Sequence, residues 1–142
     1  MASNTAPKTV LLKGQPSAYE ALAGGAITPG MLLAFSGSGV VAHATTSAVK
    51  VPALFARELE FAGGSLDEAY ASGDLVPYWH CKPGDMVYAL LEDTANVAVG
   101  ALLASNAAGA LEAAGANFAV AQAMEAINNT SGGNVRIKVR VI

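Results

Sequence analysis

ITPGMLLAFSGSGVV (27–41) and VAVGALLASNAAGAL (97–111) align without a gap at a shift of 70 residues (97 − 27 = 70). Gly30/Gly100, Leu32/Leu102, Leu33/Leu103, Ala34/Ala104 and Gly39/Gly109 are identical, and Ile27/Val97 and Val41/Leu111 are conservative. At the same shift Ala53-Leu54-Phe55-Ala56 faces Ala123-Met124-Glu125-Ala126. The shared pattern is a β unit, repeated over 27–56 and 97–126. A glycine turn leads into a Leu-Leu strand, a second glycine turn reverses the chain, and a later Ala-containing strand follows. Glycine suits both turns because it reaches positive φ without a Cβ penalty.

The repeat decides a segment that local propensity leaves open. Glu112-Ala113-Ala114 and 119–127 favour helix by composition. Their counterparts contain Val49, Val51 and Pro52, which favour extended chain, so 118–126 is read as a strand. The clearest strand closes the chain: Val135, Ile137, Val139 and Val141 alternate with Arg136, Lys138 and Arg140, putting four aliphatic residues on one face and three cations on the other. The cationic face is read as a solvated or subunit-facing edge. Gly73-Asp74 and Gly84-Asp85 mark turns on either side of the Tyr78-Trp79 segment. Tyr19 to Ala23 is read as one helical turn, and Ser65 with Glu68, at capping-box spacing, as another. The expected fold is mainly β: a small β-barrel domain over 25–142, with short helical turns and an extended N-terminal arm over 1–24.

Composition narrows the function classes. The chain has 142 residues, a net charge of −3 and only 13% charged residues, where about 25% is usual. A surface poor in charge and rich in small residues suits packing against other subunits. The acidic balance opposes nucleic acid as a partner, because phosphate binding needs clustered cations. No run approaches the roughly 20 apolar residues of a membrane helix, and no secretory signal is visible at the N-terminus.

Catalytic patterns are not found. Cys81 is the single cysteine, so no internal disulfide or zinc motif can form, and a buried thiol is expected. His43 and His80 lack ligand spacing. His80 and Cys81 are adjacent, so a strand points them to opposite faces. Gly37-Ser38-Gly39 lacks the Gly-Lys-Ser/Thr of a phosphate loop. An enzymatic or ligand-binding barrel would need carboxylates such as Asp74 and Asp85 to converge. No catalytic, cofactor-binding or metal-binding residue is assigned. The residues singled out are the turn glycines Gly30, Gly39, Gly73, Gly84, Gly100 and Gly109, and the apolar run Thr9-Val10-Leu11-Leu12-Lys13. That run lies between a polar arm and the Gly14-Gln15-Pro16 break, and is read as an arm segment able to pair with a neighbour's sheet edge.

With these residues assembled, the chain resembles the head decoration, or capsid cement, proteins of tailed bacteriophages. Ala26-Ile27-Thr28-Pro29-Gly30-Met31-Leu32-Leu33 with Gly39-Val40-Val41 looks like the opening unit of the lambda-type proteins. The stretch from Tyr70 through Pro83-Gly84-Asp85-Met86-Val87-Tyr88-Ala89 and Gly100-Ala101-Leu102-Leu103 to 135–141 is similar to a wider group of cement proteins. The resemblance covers roughly 25–142. It implies a β-barrel or β-tulip domain that binds the major capsid protein on the outer surface of the virion head. The domain would form homotrimers, with dimers in related systems, and would bridge capsomers after expansion, with no catalysis and no cofactor. A phage tail or baseplate component is the alternative that shares the same β-rich, low-charge character.

Overall fold

The computed structural model describes residues 7–45, 50–59 and 65–142. These contain no helix. The strands are β1 (Leu11–Lys13), β2 (Ser17–Ala23), β3 (Leu33–Ser36), β4 (Gly39–Ala42), β5 (Leu54–Ala56), β6 (Leu75–His80), β7 (Met86–Leu91), β8 (Asn96–Val97), β9 (Leu102–Ser105), β10 (Leu111–Ala113), β11 (Ala121–Ala123), β12 (Ile127–Asn128) and β13 (Val135–Val141). The mainly β barrel fold is therefore found, but it is built twice.

The second barrel is closed. Its strands run in the order β7-β10-β9-β11-β13, and β13 returns to β7 with six register pairs from Val135↔Leu91 to Arg140↔Met86. The first sheet has the order β3-β4-β2-β6-β5. It closes through the Leu32↔Phe55 bridge, with Gly30 N donating to Ala56 O (2.8 Å) and Ala56 N to Met31 O (3.0 Å). The same closure joins the second barrel, where Gly100 N donates to Ala123 O and Ala123 N to Ala101 O, both at 2.8 Å.

All five pairings correspond. The β2–β4 and β7–β10 contacts are both parallel, and the other four in each barrel are antiparallel. Register fixes the equivalences: Ala23 with Leu91, Leu33 with Leu103, Val40 with Leu111, Leu54 with Ala121 and His80 with Val141. The offset varies from 71 (111 − 40) to 61 (141 − 80). The repeat visible at 27–56 and 97–126 is thus the middle of a longer duplication that includes β2 with β7 and β6 with β13. Its ungapped pairing holds only through the Leu-Leu strand: Val40, not Val41, matches Leu111, and 54–56 match 121–123, not 124–126.

Each barrel has its own core. Ile27, Leu33, Val40, Leu54, Val76 and Tyr78 fill the first, while Val87, Leu91, Leu103, Leu111, Ile137 and Val139 fill the second. Leu32, bridged to Phe55 just before β3, and Phe55 of β5 belong to the first barrel but pack in the second cluster, so the two barrels share an apolar seam. Backbone bonds cross it: Leu90 N donates to Gly30 O (3.2 Å), Leu32 N to Gly109 O (2.8 Å) and Gly109 N to His43 O (3.0 Å).

Three expectations are corrected. Tyr19 to Ala23 is not a helical turn but most of β2, held by six pairs to β6 from Ser17↔His80 to Leu22↔Leu75. A full-length partner strand outweighs the helix propensity of Ala, Glu and Leu, because tertiary pairing overrides local preference. The Ser65–Glu68 spacing closes a single turn, Glu68 N to Ser65 O at 3.2 Å, and no helix follows. The described part of 1–24 is not an arm, because β1 pairs with β7 and β2 lies between β4 and β6. The 118–126 segment is not helical, but only Ala121–Ala123 of it is strand (β11), and the chain bends at 124–125. Val49 and Gly63-Gly64 lie outside the described residues.

Gly39 shows what the close β2–β4 contact demands. A Cβ there would lie 2.2 Å from Leu22 O, whereas one at Gly37, at the open hairpin tip with φ 59°, meets nothing within 4 Å. Gly39→Ala is expected to cost about 3 kcal/mol through overpacking against backbone. Gly37→Ala should cost about 1 kcal/mol from the left-handed φ alone. Urea denaturation of both variants checks the order.

Candidate interaction surfaces

The Thr9–Lys13 run is built into the domain. Leu11 pairs with Val87 and Lys13 with Met86. Val10 is fully buried, its N donates to the Glu58 carboxylate (3.1 Å to Oε2), and its carbonyl accepts from Tyr88 N (2.7 Å). Thr9 is exposed and donates to Leu11 O. The strand-pairing capacity read from the sequence is present, and one edge of it is used within the chain. β1 ends the sheet order, so its other edge has no partner strand among the described residues. Of the singled-out glycines, Gly30, Gly73, Gly84, Gly100 and Gly109 have positive φ. Gly39 does not, and is required for closeness instead.

The acidic turns do not form a site. The Asp74 carboxylate accepts from Ala71 N (2.8 Å). Asp85 is buried and accepts from Lys82 N (2.8 Å) and Gln15 N (3.2 Å). One residue flanks the Ala23 end of β2 and the other the Ser17 end, which places them on the order of 20 Å apart. Glu92 and Glu112 do meet, and burial with the nearby Glu92 charge raises the Glu112 carboxyl above its ordinary value. No third His, Cys, Asp or Glu joins them in a metal-binding group among the described residues. Cys81 is buried as expected, and desolvation, aided by Asp85, pushes its thiol up to about 12.

The cationic face of β13 is only partly solvated. Arg136 is largely buried: its guanidinium donates to Pro29 O (3.0 Å), to Leu66 O and to Asp67 Oδ1 (3.1 Å). It clamps first-barrel loops onto a second-barrel strand, a role the alternating pattern does not reveal. Arg140 is exposed and reaches Gln122 Oε1 (2.7 Å). At the same seam the His43 ring is buried with Nδ1 2.8 Å from Ser105 Oγ.

Two apolar faces remain uncovered. On the first barrel, Leu22 and Leu75 are a cross-strand pair, 51% and 52% exposed, and Phe35 is 66% exposed. Tyr19 stacks on Tyr78 with centroids 5.8 Å apart, and Phe35 meets Tyr78 edge-on at 6.4 Å. Tyr78 itself is buried in the first cluster, and its neighbour Trp79 is half-buried against the second, under the Arg57 guanidinium at 4.2 Å, so the pair splits between the two cores. On the second barrel, Val99, Leu102 and Phe118 are exposed. Leu102 and Phe118 flank an open groove of about 460 Å³ floored by Ala113, Ala114, Gly115 and Ala116. Sequence reading did not single out these faces. Leu32 and Leu102 are identical in the repeat, and only docking buries the first and leaves the second open.

No family model matches the chain, and no curated protein does. Among solved structures, it is similar to the N base of head fiber gp8.5 of bacteriophage phi29, with a TM-score of 0.54 and 10% identity over 90% of this chain and 95% of that one. At this identity the likeness is one of fold, and it extends over both barrels.

Two outcomes follow from the buried groups. Deleting 2–13 strips Val10 from the core and the pairing from β7, so the domain should lose about 3 kcal/mol of stability, read as a lower urea midpoint. Burial holds the His43 pKa below 6.5, against a backbone hydrogen bond at Thr45. The unfolded chain therefore takes up the proton first, and stability present above the ordinary value is lost as pH falls through it toward the folded value. His43→Gln should flatten this loss in urea titrations compared between about pH 7.5 and about pH 5.

Proposed function

We propose that the protein is a non-catalytic structural component of a tailed-phage virion. In this reading it binds the major capsid protein on the outer surface of the head as a homo-oligomer, with trimers favoured, and stabilises the expanded shell by bridging capsomers. The observation that carries this reading is the likeness, nearly end to end, to the base of a phage head fiber. The resemblance of the 25–142 motifs to cement proteins supports the finer role, as does the low surface charge. Attachment of this kind sums many modest contacts repeated by symmetry, and the two uncovered apolar faces provide area for the contacts between copies. No cofactor has a part in it, and Asp74 and Asp85 are each occupied by their own turns.

The test is incubation of the purified protein with expanded empty heads, unexpanded heads and tails of the parent phage, followed by sedimentation and quantification of bound copies. Saturable binding to expanded heads at high copy number, with little on unexpanded heads or tails, is expected. Binding to tails alone would transfer the protein to the tail or baseplate, and binding to none would end the structural reading.

A further inference from the structure

The two uncovered faces are related by the duplication. Within the chain, the first barrel docks on the second through three contacts that can be transferred by the register equivalences. Gly30 O accepts from Leu90 N, His43 meets Ser105, and the Pro29 carbonyl accepts from Arg136. The residues of the second barrel equivalent to Gly30, His43 and Pro29 are Gly100, Ala114 and Val99. The residues of the first barrel equivalent to Leu90, Ser105 and Arg136 are Leu22, Phe35 and Leu75.

Those residues make up the exposed faces. Leu22, Phe35, Leu75 and Val99 are each more than half exposed, and Ala114 floors the groove beside Leu102. The pairs are also complementary. Inside the chain a large His43 meets a small Ser105. In the transferred pair the sizes swap, with a large Phe35 opposite the small Ala114. The guanidinium–carbonyl contact of Arg136 with Pro29 becomes an aliphatic contact of Leu75 with Val99. Gly100 keeps the positive φ of Gly30, 89° against 94°. A Cβ at Gly30 would meet Tyr88 O at 2.9 Å, but at Gly100 only Gln122 Nε2 at 3.9 Å. In place of a docked barrel, the Gly100 carbonyl accepts from the Gln122 side-chain amide (Nε2, 3.1 Å).

We infer that the exposed face of the second barrel docks onto the exposed face of the first barrel of another copy, repeating between chains the contact that the chain makes within itself. The occupant is a second copy of this chain. The interface is heterologous, so it propagates head to tail and closes into a ring if the rotation permits. This deepens only the self-association part of the proposed function, and an experiment without heads tests it separately from capsid binding.

Phe35→Arg disables one face and Leu102→Arg the other. Light scattering on the wild-type chain should give a multiple of the 14.3 kDa protomer mass. Each variant alone should give the protomer mass, with an unchanged circular dichroism spectrum. Mixed at equal amounts, the variants retain one complete interface between them and should give a 1:1 species of twofold mass. A self-complementary interface using either face on itself would not be rescued by mixing. A wild-type monomer through millimolar concentration, oligomers persisting in either variant, or no twofold species on mixing would overturn the inference. If either variant misfolds, Leu22→Arg and Val99→Arg replace the pair and carry the same outcomes.

Discussion

The backbone contact at Gly30 joins the two halves of the molecule. Its N closes the first barrel on Ala56 O, its carbonyl accepts from Leu90 N of the second barrel, and its φ is 94°. Any Cβ here would press on the Tyr88 carbonyl, so the approach of one barrel to the other requires glycine at this position. Gly109 does the reciprocal work from the second barrel, donating to His43 O and accepting from Leu32 N. Around these two residues Leu32 and Phe55 leave their own barrel's interior and complete the core of its neighbour. The seam is therefore made of backbone hydrogen bonds inside an apolar cluster, where unpaired polar groups would be costly.

Duplication gives the barrels the same pairing scheme, and their differences lie on the outside. β1 covers the start of the β7 edge, whereas β4 pairs with β2 only at Leu22 and Ala23. The first barrel carries aromatic and leucine side chains outward, and the second an alanine-floored groove. An array of like modules leaves unmatched surfaces at its two ends, as in repeat proteins whose terminal faces must be capped or bound. The low charge of the chain fits such ends, since charged residues are depleted where subunits meet. The likeness to a phage head-fiber base, at 10% identity over 90% of the chain, is a likeness of this two-barrel frame.

The sequence by itself determined the β character, the glycine-bounded Leu-Leu unit and its recurrence at a shift of 70, and the closing strand of alternating aliphatic and cationic residues. These are local periodicities, which survive without knowledge of partners. It also settled 118–126 against helix, because a repeat transfers information from one copy to the other. Only the tertiary structure decided that residues 17–23 are a strand, since that depends on β6 lying beside them. It alone revealed the full extent of the duplication, because the offset drifts by ten residues between β4 and β6 (71 − 61 = 10) and breaks any ungapped alignment. Identical residues, Leu32 and Leu102, end buried and exposed respectively. Burial is a property of what docks on a residue, and that is decided by the approach of whole barrels through Gly30 and Gly109.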